Sequence, residues 1–167
     1  VLVLEDTVEL QCAARDHVPL RTRQGVVSMT ELVRSSMRLR PDRVVVGEVR
    51  GAEALDLIKV WGTGHPGGIA TIHAGSALGA LLRLEQLILE VAVNPPRALI
   101  AEAVNVVIHI AGRGRKRRIE SIARVVGFDG AGYQLADALE APETPFPELL
   151  PQSDLSSLSP DHSGELP

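Results

Sequence analysis

Apolar residues form short continuous runs along the N-terminal half of the chain. Val1–Leu4, Val44–Val46 and Ile69–Ile72 are three such runs, each largely made of β-branched and aliphatic side chains. Continuous apolar runs of this length are typical of strands that are buried on both faces, as in parallel sheets. The pattern therefore predicts three buried strands.

Segments with apolar residues at helical spacing separate these runs. Ser28 and Glu31 fit the S-x-x-E capping box of a helix N-terminus, and Gly51 opens a second helix. Ser76 can cap a third helix, and Pro96 suits the first turn of a fourth. The predicted apolar positions of the first helix are Met29, Leu32, Val33 and Met37. Those of the third helix are Leu78, Leu81, Leu82, Ile88 and Val91, with Glu85 among them.

The order strand, helix, strand, helix, strand predicts an α/β fold with parallel central strands. Val104–Ile110 and Ile119–Phe128 predict two more strands around a basic turn, Arg113–Arg118, and a short strand follows near Tyr133–Leu135. We expect these to form a β-hairpin edge. Hydrophobic residues make up 45% of the chain and aromatic residues only 2%, so the core must be aliphatic.

Composition divides the chain into a folded part, residues 1–140, and a tail, residues 141–167. The tail combines proline, serine and acidic residues without Lys or Arg, which predicts disorder. Residues 1–135 hold 17 basic and 14 acidic residues, a net charge of +3 that is too small to indicate nucleic-acid binding. The only cysteine, Cys12, excludes an internal disulfide. The chain starts inside a predicted strand, so we expect that upstream sequence is missing.

Acidic residues follow two of the predicted strands directly. Glu5 and Asp6 open the run E-D-T-V-E, and Gly47 and Glu48 follow the strand in L-R-P-D-R-V-V-V-G-E-V-R-G. In open α/β sheets, ligands bind beyond the carboxyl ends of the strands, where an acid can hold Mg²⁺ through water or orient an attacking water. Taken alone, a single strand followed by an acid is better explained by an acid that caps the next helix.

Two histidines bracket a glycine-rich turn and the third strand. His65 and His73 lie in T-G-H-P-G-G-I-A-T-I-H-A-G-S, from Thr63 to Ser76. An imidazole N–H can donate to a phosphate oxygen, and glycines let backbone approach a ligand closely. Taken singly, His73 is better explained as a hydrogen-bonded core histidine and His65 as a loop residue.

Together and in this order, the three motifs resemble the Asp box, Walker B box and His box of the type II/type IV secretion ATPase superfamily. The residues of these motifs are especially similar to those of the conjugative-transfer branch called TrbB, and the resemblance extends from Val1 to about Leu135. The resemblance implies part of a RecA-like P-loop NTPase core that uses ATP and Mg²⁺. It also implies a cytoplasmic homo-hexamer, peripheral at the inner membrane, that works with inner-membrane type IV secretion subunits in pilus assembly or transfer. No sequence-specific nucleic-acid binding is expected.

The resemblance also implies roles for individual residues. Glu48 matches the Walker B acid, as general base or metal-linked acid, and His73 matches the residue that senses the γ-phosphate. Glu5 and Asp6 fall in the acidic box near the metal and the attacking water. Mg²⁺ would be held, mainly through water, by Glu5, Asp6 and Glu48. The other matches on the nucleotide side are Gly47, Arg50 and His65.

One family motif is missing from this chain. No segment fits the phosphate-binding loop G-x-x-x-x-G-K-S/T, whose backbone N–H groups and lysine cradle the phosphates. We therefore expect a C-terminal portion that does not hydrolyse ATP by itself. Alternatives are a fragment of a type IV pilus or type II secretion ATPase, or a non-catalytic assembly module. Zinc bound by His65, His73, Cys12 and Glu48 fits no short structural zinc pattern.

Overall fold

The computed structural model describes residues 1–63 and 67–139. Four parallel strands form the first sheet in the order β2-β1-β3-β4. They are β1 (Leu2–Glu5), β2 (Val18–Arg21), β3 (Val44–Val46) and β4 (Ile69–Ala70). In the centre of the sheet, Leu4 pairs with Leu20 on one side and Val46 on the other, and Val46 pairs with Ala70. The predicted α/β fold with parallel strands is confirmed.

Four helices connect and cover the strands. They are α1 (Met29–Ser36), α2 (Glu53–Gly62), α3 (Ala77–Ile88) and α4 (Arg97–Ala103). Ser28 and Glu31 make both hydrogen bonds of the predicted capping box, and the Ser76 hydroxyl accepts the N–H of Gly79. The two helix starts predicted from capping serines, at Ser28 and Ser76, are therefore confirmed. Short 3₁₀ turns occupy Met37–Leu39 and Gly114–Lys116.

Three antiparallel strands form a second sheet in the order β5-β6-β7. They are β5 (Val106–Ala111), β6 (Arg118–Phe128) and β7 (Tyr133–Asp137). The predicted hairpin and its third strand are thus present, and they pair with each other as a separate sheet. Ala123 and Val125 of β6 face inward against the helices. The next residue along the strand, Val126, faces outward and is 62% exposed.

One aliphatic core runs through the described part of the chain. It joins the central strands to the helices, and its fully buried members include Leu4, Val33, Ile58, Leu81 and Ile100. Tyr133 of the second sheet belongs to the same cluster. The aliphatic core expected from the low aromatic content is confirmed.

Several details differ from the prediction. Met37 leaves the helical face of α1 and is exposed, because α1 ends at Ser36 and a 3₁₀ turn begins. Leu78 and Leu82 are also exposed, since they lie on the side of α3 away from the core. Strand β2 was not predicted at all. His65 and the tail, residues 141–167, lie outside the described residues. Over residues 1–63 and 67–139, no helix is long and apolar enough to cross a bilayer.

Candidate functional site

The carboxyl ends of β1, β3 and β4 meet at one edge of the parallel sheet. Glu5 is the last residue of β1, Glu48 follows β3, and His73 follows β4. These three side chains line a single cleft of about 350 Å³. The other lining residues are Asp6, Thr7, Glu9, Leu10, Gly47, Arg50 and Thr71. Every described residue that the motifs singled out therefore faces this cleft.

Glu48 is held at both oxygens of its carboxylate. Its Oε1 lies 2.9 Å from Nε2 of His73, and its Oε2 accepts a hydrogen bond from Nε of Arg50 at 2.6 Å. A second Arg50 nitrogen, Nη2, also pairs with Oε2. The Glu48 side chain is only 17% exposed, whereas His73 is 94% exposed. The acid is thus recessed in the cleft, and the imidazole stands at its rim.

Arg50 links the two acidic motifs electrostatically. Its hydrogen bond to Glu48 raises the pKa of the guanidinium above its ordinary value, with smaller contributions from the charges of Asp6 and Glu9. The Nη1 atom of Arg50 lies 3.9 Å from Oδ2 of Asp6. Asp6 is held from its other oxygen, where Oδ1 accepts the Thr22 hydroxyl at 2.6 Å. Arg50 therefore stands between the acid after β1 and the acid after β3.

Glu5 has a different environment from its neighbour Asp6. The residue is 4% exposed, and its Oε1 accepts two backbone N–H groups, from Glu9 at 3.0 Å and from Leu10 at 2.8 Å. A buried carboxylate that accepts backbone N–H groups fixes the conformation of the loop that supplies them. Glu5 thereby folds the loop after β1 back over the sheet edge.

The backbone around Glu48 is fixed by Thr71 and Glu53, neither of which was a predicted site residue. The Thr71 hydroxyl donates to the Gly47 carbonyl at 2.5 Å, and the Thr71 carbonyl accepts the Val49 N–H at 2.9 Å. Glu53 is buried, and its Oε1 accepts the N–H groups of Arg50 at 2.7 Å and Gly51 at 2.9 Å. The sequence signal that could have indicated Glu53 is its place in the first turn of the helix predicted to begin at Gly51.

Glu48 does not cap the helix that follows β3. No described side chain makes a cap hydrogen bond at the N-terminus of α2, and it is Glu53 that accepts the N–H groups of Arg50 and Gly51 just before this helix. Glu48 instead points to His73 and Arg50 in the cleft. The side chain of Glu48 is therefore available for cleft chemistry rather than used as a helix cap.

The cleft is lined by more acids than bases. Glu5, Asp6, Glu9 and Glu48 face Arg50 and His73. Carboxylate oxygens suit Mg²⁺, which keeps several waters and completes its octahedral shell with phosphate oxygens. Within residues 1–63 and 67–139, no three His, Cys, Asp or Glu side chains are placed to hold a metal ion by themselves. The carboxylates present thus fit a hydrated Mg²⁺ that also binds a phosphate, and not an all-protein metal cage.

Comparison with known proteins shows which protein family this chain resembles in sequence. Residues 1–122 match the sequence profile of a family described as "Type II/IV secretion system protein". The conjugal transfer protein TrbB of Rhizobium radiobacter is 47% identical over 134 residues, which cover 80% of this chain and 41% of the relative. A TrbB-type protein of Sinorhizobium fredii is 49% identical over 135 residues, with 81% and 41% covered. The chain thus spans about two fifths of the length of these relatives.

Solved structures agree with the sequence relatives. The VirB11 ATPase from the Brucella suis type IV secretion system, solved in complex with sulphate, is similar with a TM-score of 0.66 and 32% identity. That similarity covers 74% of this chain and 39% of the other. The Legionella pneumophila ATPase DotB shares the fold, with a TM-score of 0.52, 22% identity, and 65% and 31% coverage. These similarities confirm the predicted fold class.

Proposed function

Because this chain belongs to the type II/IV secretion system protein family, we propose that it is part of the ATP-hydrolysing motor of a conjugal-transfer type IV secretion system. The observation that carries the proposal is the meeting of Glu5, Glu48 and His73 in one cleft at the carboxyl ends of parallel strands. Ligands of open α/β sheets bind at this edge. The TrbB relatives favour the conjugal-transfer branch over the pilus and type II branches.

In the proposed mechanism, Glu48 is the general base that accepts a proton from the attacking water. Arg50 and His73 hold the two oxygens of its carboxylate, which sets the direction of the free lone pairs. General bases of this kind contribute about 10²–10⁴-fold to a rate. His73, which is exposed at the rim, would donate an imidazole N–H to a γ-phosphate oxygen.

The acids of the cleft have a second proposed role on the metal side. Glu5, Asp6 and Glu48 would hold Mg²⁺ mainly through water, and the ion would neutralise charge that develops on the phosphates. Gly47, Arg50 and His65 remain proposed nucleotide contacts. A cleft with four carboxylates repels a bare triphosphate, so the main phosphate cradle must come from the P-loop, which no segment of this sequence fits.

The assembly is also part of the proposal. The relatives' names place them in conjugal transfer and type IV secretion, and the resemblance implies a homo-hexameric ring. We infer that the complete protein works as such a ring in the cytoplasm, peripheral at the inner membrane, beside type IV secretion subunits. ATP hydrolysis in that ring would power pilus assembly or transfer of DNA and protein.

A chimera tests the catalytic proposal directly. Residues 1–135 would replace the matching segment of the Rhizobium radiobacter relative, whose remaining part holds the regions that this chain does not match. We expect Mg²⁺-dependent ATP hydrolysis by the purified chimera, and a loss of about 10²–10⁴-fold for its Glu48→Gln variant. Release of inorganic phosphate would be the measurement.

Glu102→Gln is the matched control, because Glu102 is an exposed acid on α4 away from the cleft. It should keep the activity of the chimera. A Glu48→Gln chimera that is folded and as active as the control would refute the assignment of the base. The 167-residue chain alone should show no turnover, and turnover abolished by Glu48→Ala would overturn that expectation.

A further inference from the structure

The turn between β5 and β6 carries a concentrated positive charge. This basic turn, residues 113–118, contains five cations in six positions, and all of its residues are exposed. Arg118 pairs with Glu120 at 3.4 Å. The remaining four cations make no ion pair within 4 Å with any residue in the ranges 1–63 and 67–139. They are Arg113, Arg115, Lys116 and Arg117. The turn therefore presents several uncompensated charges to its surroundings.

The exposed surface beside the basic turn is apolar. Ile110 at the end of β5 is 54% exposed, and Ile119 near the start of β6 is 59% exposed. The two residues are paired in the ladder between the strands, so their side chains lie together. A segment that binds to this surface would contact the cations of the turn and the two adjacent isoleucines at the same time.

Strand β7 runs toward the basic turn. It is antiparallel to β6, which begins at the turn, and its last ladder pair is Asp137 with Ala123. The N–H of Ala138 still donates to the Ile122 carbonyl at 2.9 Å. Ile122 lies four residues along β6 from Arg118, a distance of about 13 Å at the rise of a strand. The chain beyond Leu139 therefore begins close to the basic turn.

The chemistry of the following segment complements this surface. The tail, residues 141–167, contains five acids and no Lys or Arg, so that its charge opposes the five cations of the basic turn. Its first acids, Glu143 and Glu148, flank Phe146, and Leu149 and Leu150 follow. The start of the tail thus combines acidic with apolar side chains, and the surface at the turn combines cations with the two isoleucines.

We propose that the tail docks on the basic turn of its own chain, with Glu143 and Glu148 against the cations and the apolar residues between them against Ile110 and Ile119. A tethered segment that starts about 13 Å away has a high effective concentration, in the millimolar range for short linkers, so weak individual contacts suffice. In this arrangement the tail shields the basic turn from other anionic partners. The interaction weakens as salt screens the charges.

The two lysines of the chain allow a sharp test. Lys116 lies in the basic turn, and Lys59 lies exposed on α2. A carbodiimide joins a lysine amine to a carboxylate only when the two are in contact, and mass spectrometry identifies the joined peptides. In the 167-residue chain at low ionic strength, we expect monomers in which Lys116 is linked to Glu143 or Glu148. Products that link Lys59 to the tail should be rarer by roughly tenfold.

Two variants separate docking from mere proximity. Arg115→Gln with Arg117→Gln keeps the Lys116 amine and the tether but removes two cations, and should lower the Lys116–tail product by about threefold to tenfold. A similar fall is expected at high salt. Lys116→Arg keeps the charge and should remove only that product.

Three results would overturn the proposal. The first is a yield of Lys116–tail product that neither salt nor the double variant changes. The second is a product found only in covalent dimers, which would make a second copy of the chain the occupant. The third is tail products of Lys116 that are no more frequent than those of Lys59, which would leave the basic turn free for an external anionic surface.

Discussion

At the scale of single residues, Glu5 is a structural acid as well as a proposed site residue. Its buried carboxylate accepts the N–H groups of Glu9 and Leu10. Replacing it by alanine leaves both donors without their acceptor in a partly buried loop. We therefore expect Glu5→Ala to lower the free energy of unfolding by about 1–3 kcal/mol, measured by urea denaturation.

Glu5→Gln provides the comparison for this prediction, because the glutamine amide oxygen can still accept from the same N–H groups. Its stability should lie between the wild type and Glu5→Ala. Glu9→Ala, which removes an exposed side chain but keeps the backbone donor, should change stability little. Equal stability of Glu5→Ala and the wild type would show that the loop does not depend on this carboxylate.

The residues of the cleft differ in how far they could be predicted. Glu5, Glu48 and His73 follow strands of one parallel sheet, so a local pattern already placed them at one edge. Glu53 acts locally, on N–H groups two and three residues before it, so its place in the first turn of α2 could have indicated it. Thr71 instead reaches Gly47 across 24 positions of sequence. That contact depends on how the strands are paired, and no local spacing in the sequence encodes it.

At the scale of elements, the same distinction explains strand β2. Helices with a side-chain cap and strands buried on both faces have local signals, and they were predicted within a few residues. Strand β2 is an edge strand that contains Pro19, and three of its four residues are exposed. Its identity comes from pairing with β1, because its own sequence has neither alternation nor a continuous apolar run.

The turn between β6 and β7 gives a prediction for pH dependence. Asp129 Oδ1 accepts the N–H groups of Ala131 and Gly132, and its Oδ2 accepts the side-chain amide of Gln134. The backbone hydrogen bond from Gly132, followed by that from Ala131, lowers the pKa of Asp129 below its ordinary value of 3.8. A lowered pKa means that the ionised carboxylate stabilises the folded state above pH 3.8, and that this contribution disappears as the pH falls through the folded pKa.

Asp129→Asn keeps an acceptor in the turn but removes the titration. We expect the difference in unfolding free energy between wild type and Asp129→Asn to be constant near neutral pH and to shrink as the pH falls below 3.8. Urea denaturation over a pH series would measure it. A difference that stays constant down to the lowest pH at which the chain folds would mean that the charge of Asp129 has no part in the turn.

At the scale of the whole molecule, Arg97 connects two helices with the second sheet. Arg97 at the start of α4 donates from Nε to both oxygens of the buried Glu85 on α3, at 3.0 Å each. Its guanidinium also lies 5.9 Å from the centre of the Phe128 ring, which packs edge-on against Tyr133. Burial raises the pKa of the Tyr133 phenol. The second sheet is therefore packed onto α3 and α4, and it shares one core with the parallel sheet.

This packing predicts a single cooperative unfolding transition, and the chain contains one natural probe for each sheet. Trp61, the only tryptophan, packs against the core beside β3, and its Nε1 donates to the Val44 carbonyl at 3.4 Å. Tyr133, the only tyrosine, lies at the start of β7. We expect tryptophan fluorescence and tyrosine difference absorbance to change at the same urea concentration, because the two probes share one core.

Glu85→Ala is the variant expected to split this single transition into two. It removes the acceptor of Arg97 at the junction but leaves the parallel sheet and its cleft untouched, so the tyrosine signal should change at lower urea than the tryptophan signal. Asp56→Ala is the matched control, since it breaks the Arg34–Asp56 pair between α1 and α2, away from the second sheet. In this variant the tryptophan and tyrosine signals should still change at the same urea concentration. Separate transitions already in the wild-type chain would show that the second sheet folds independently, and the cleft would then have to be understood from the parallel sheet alone.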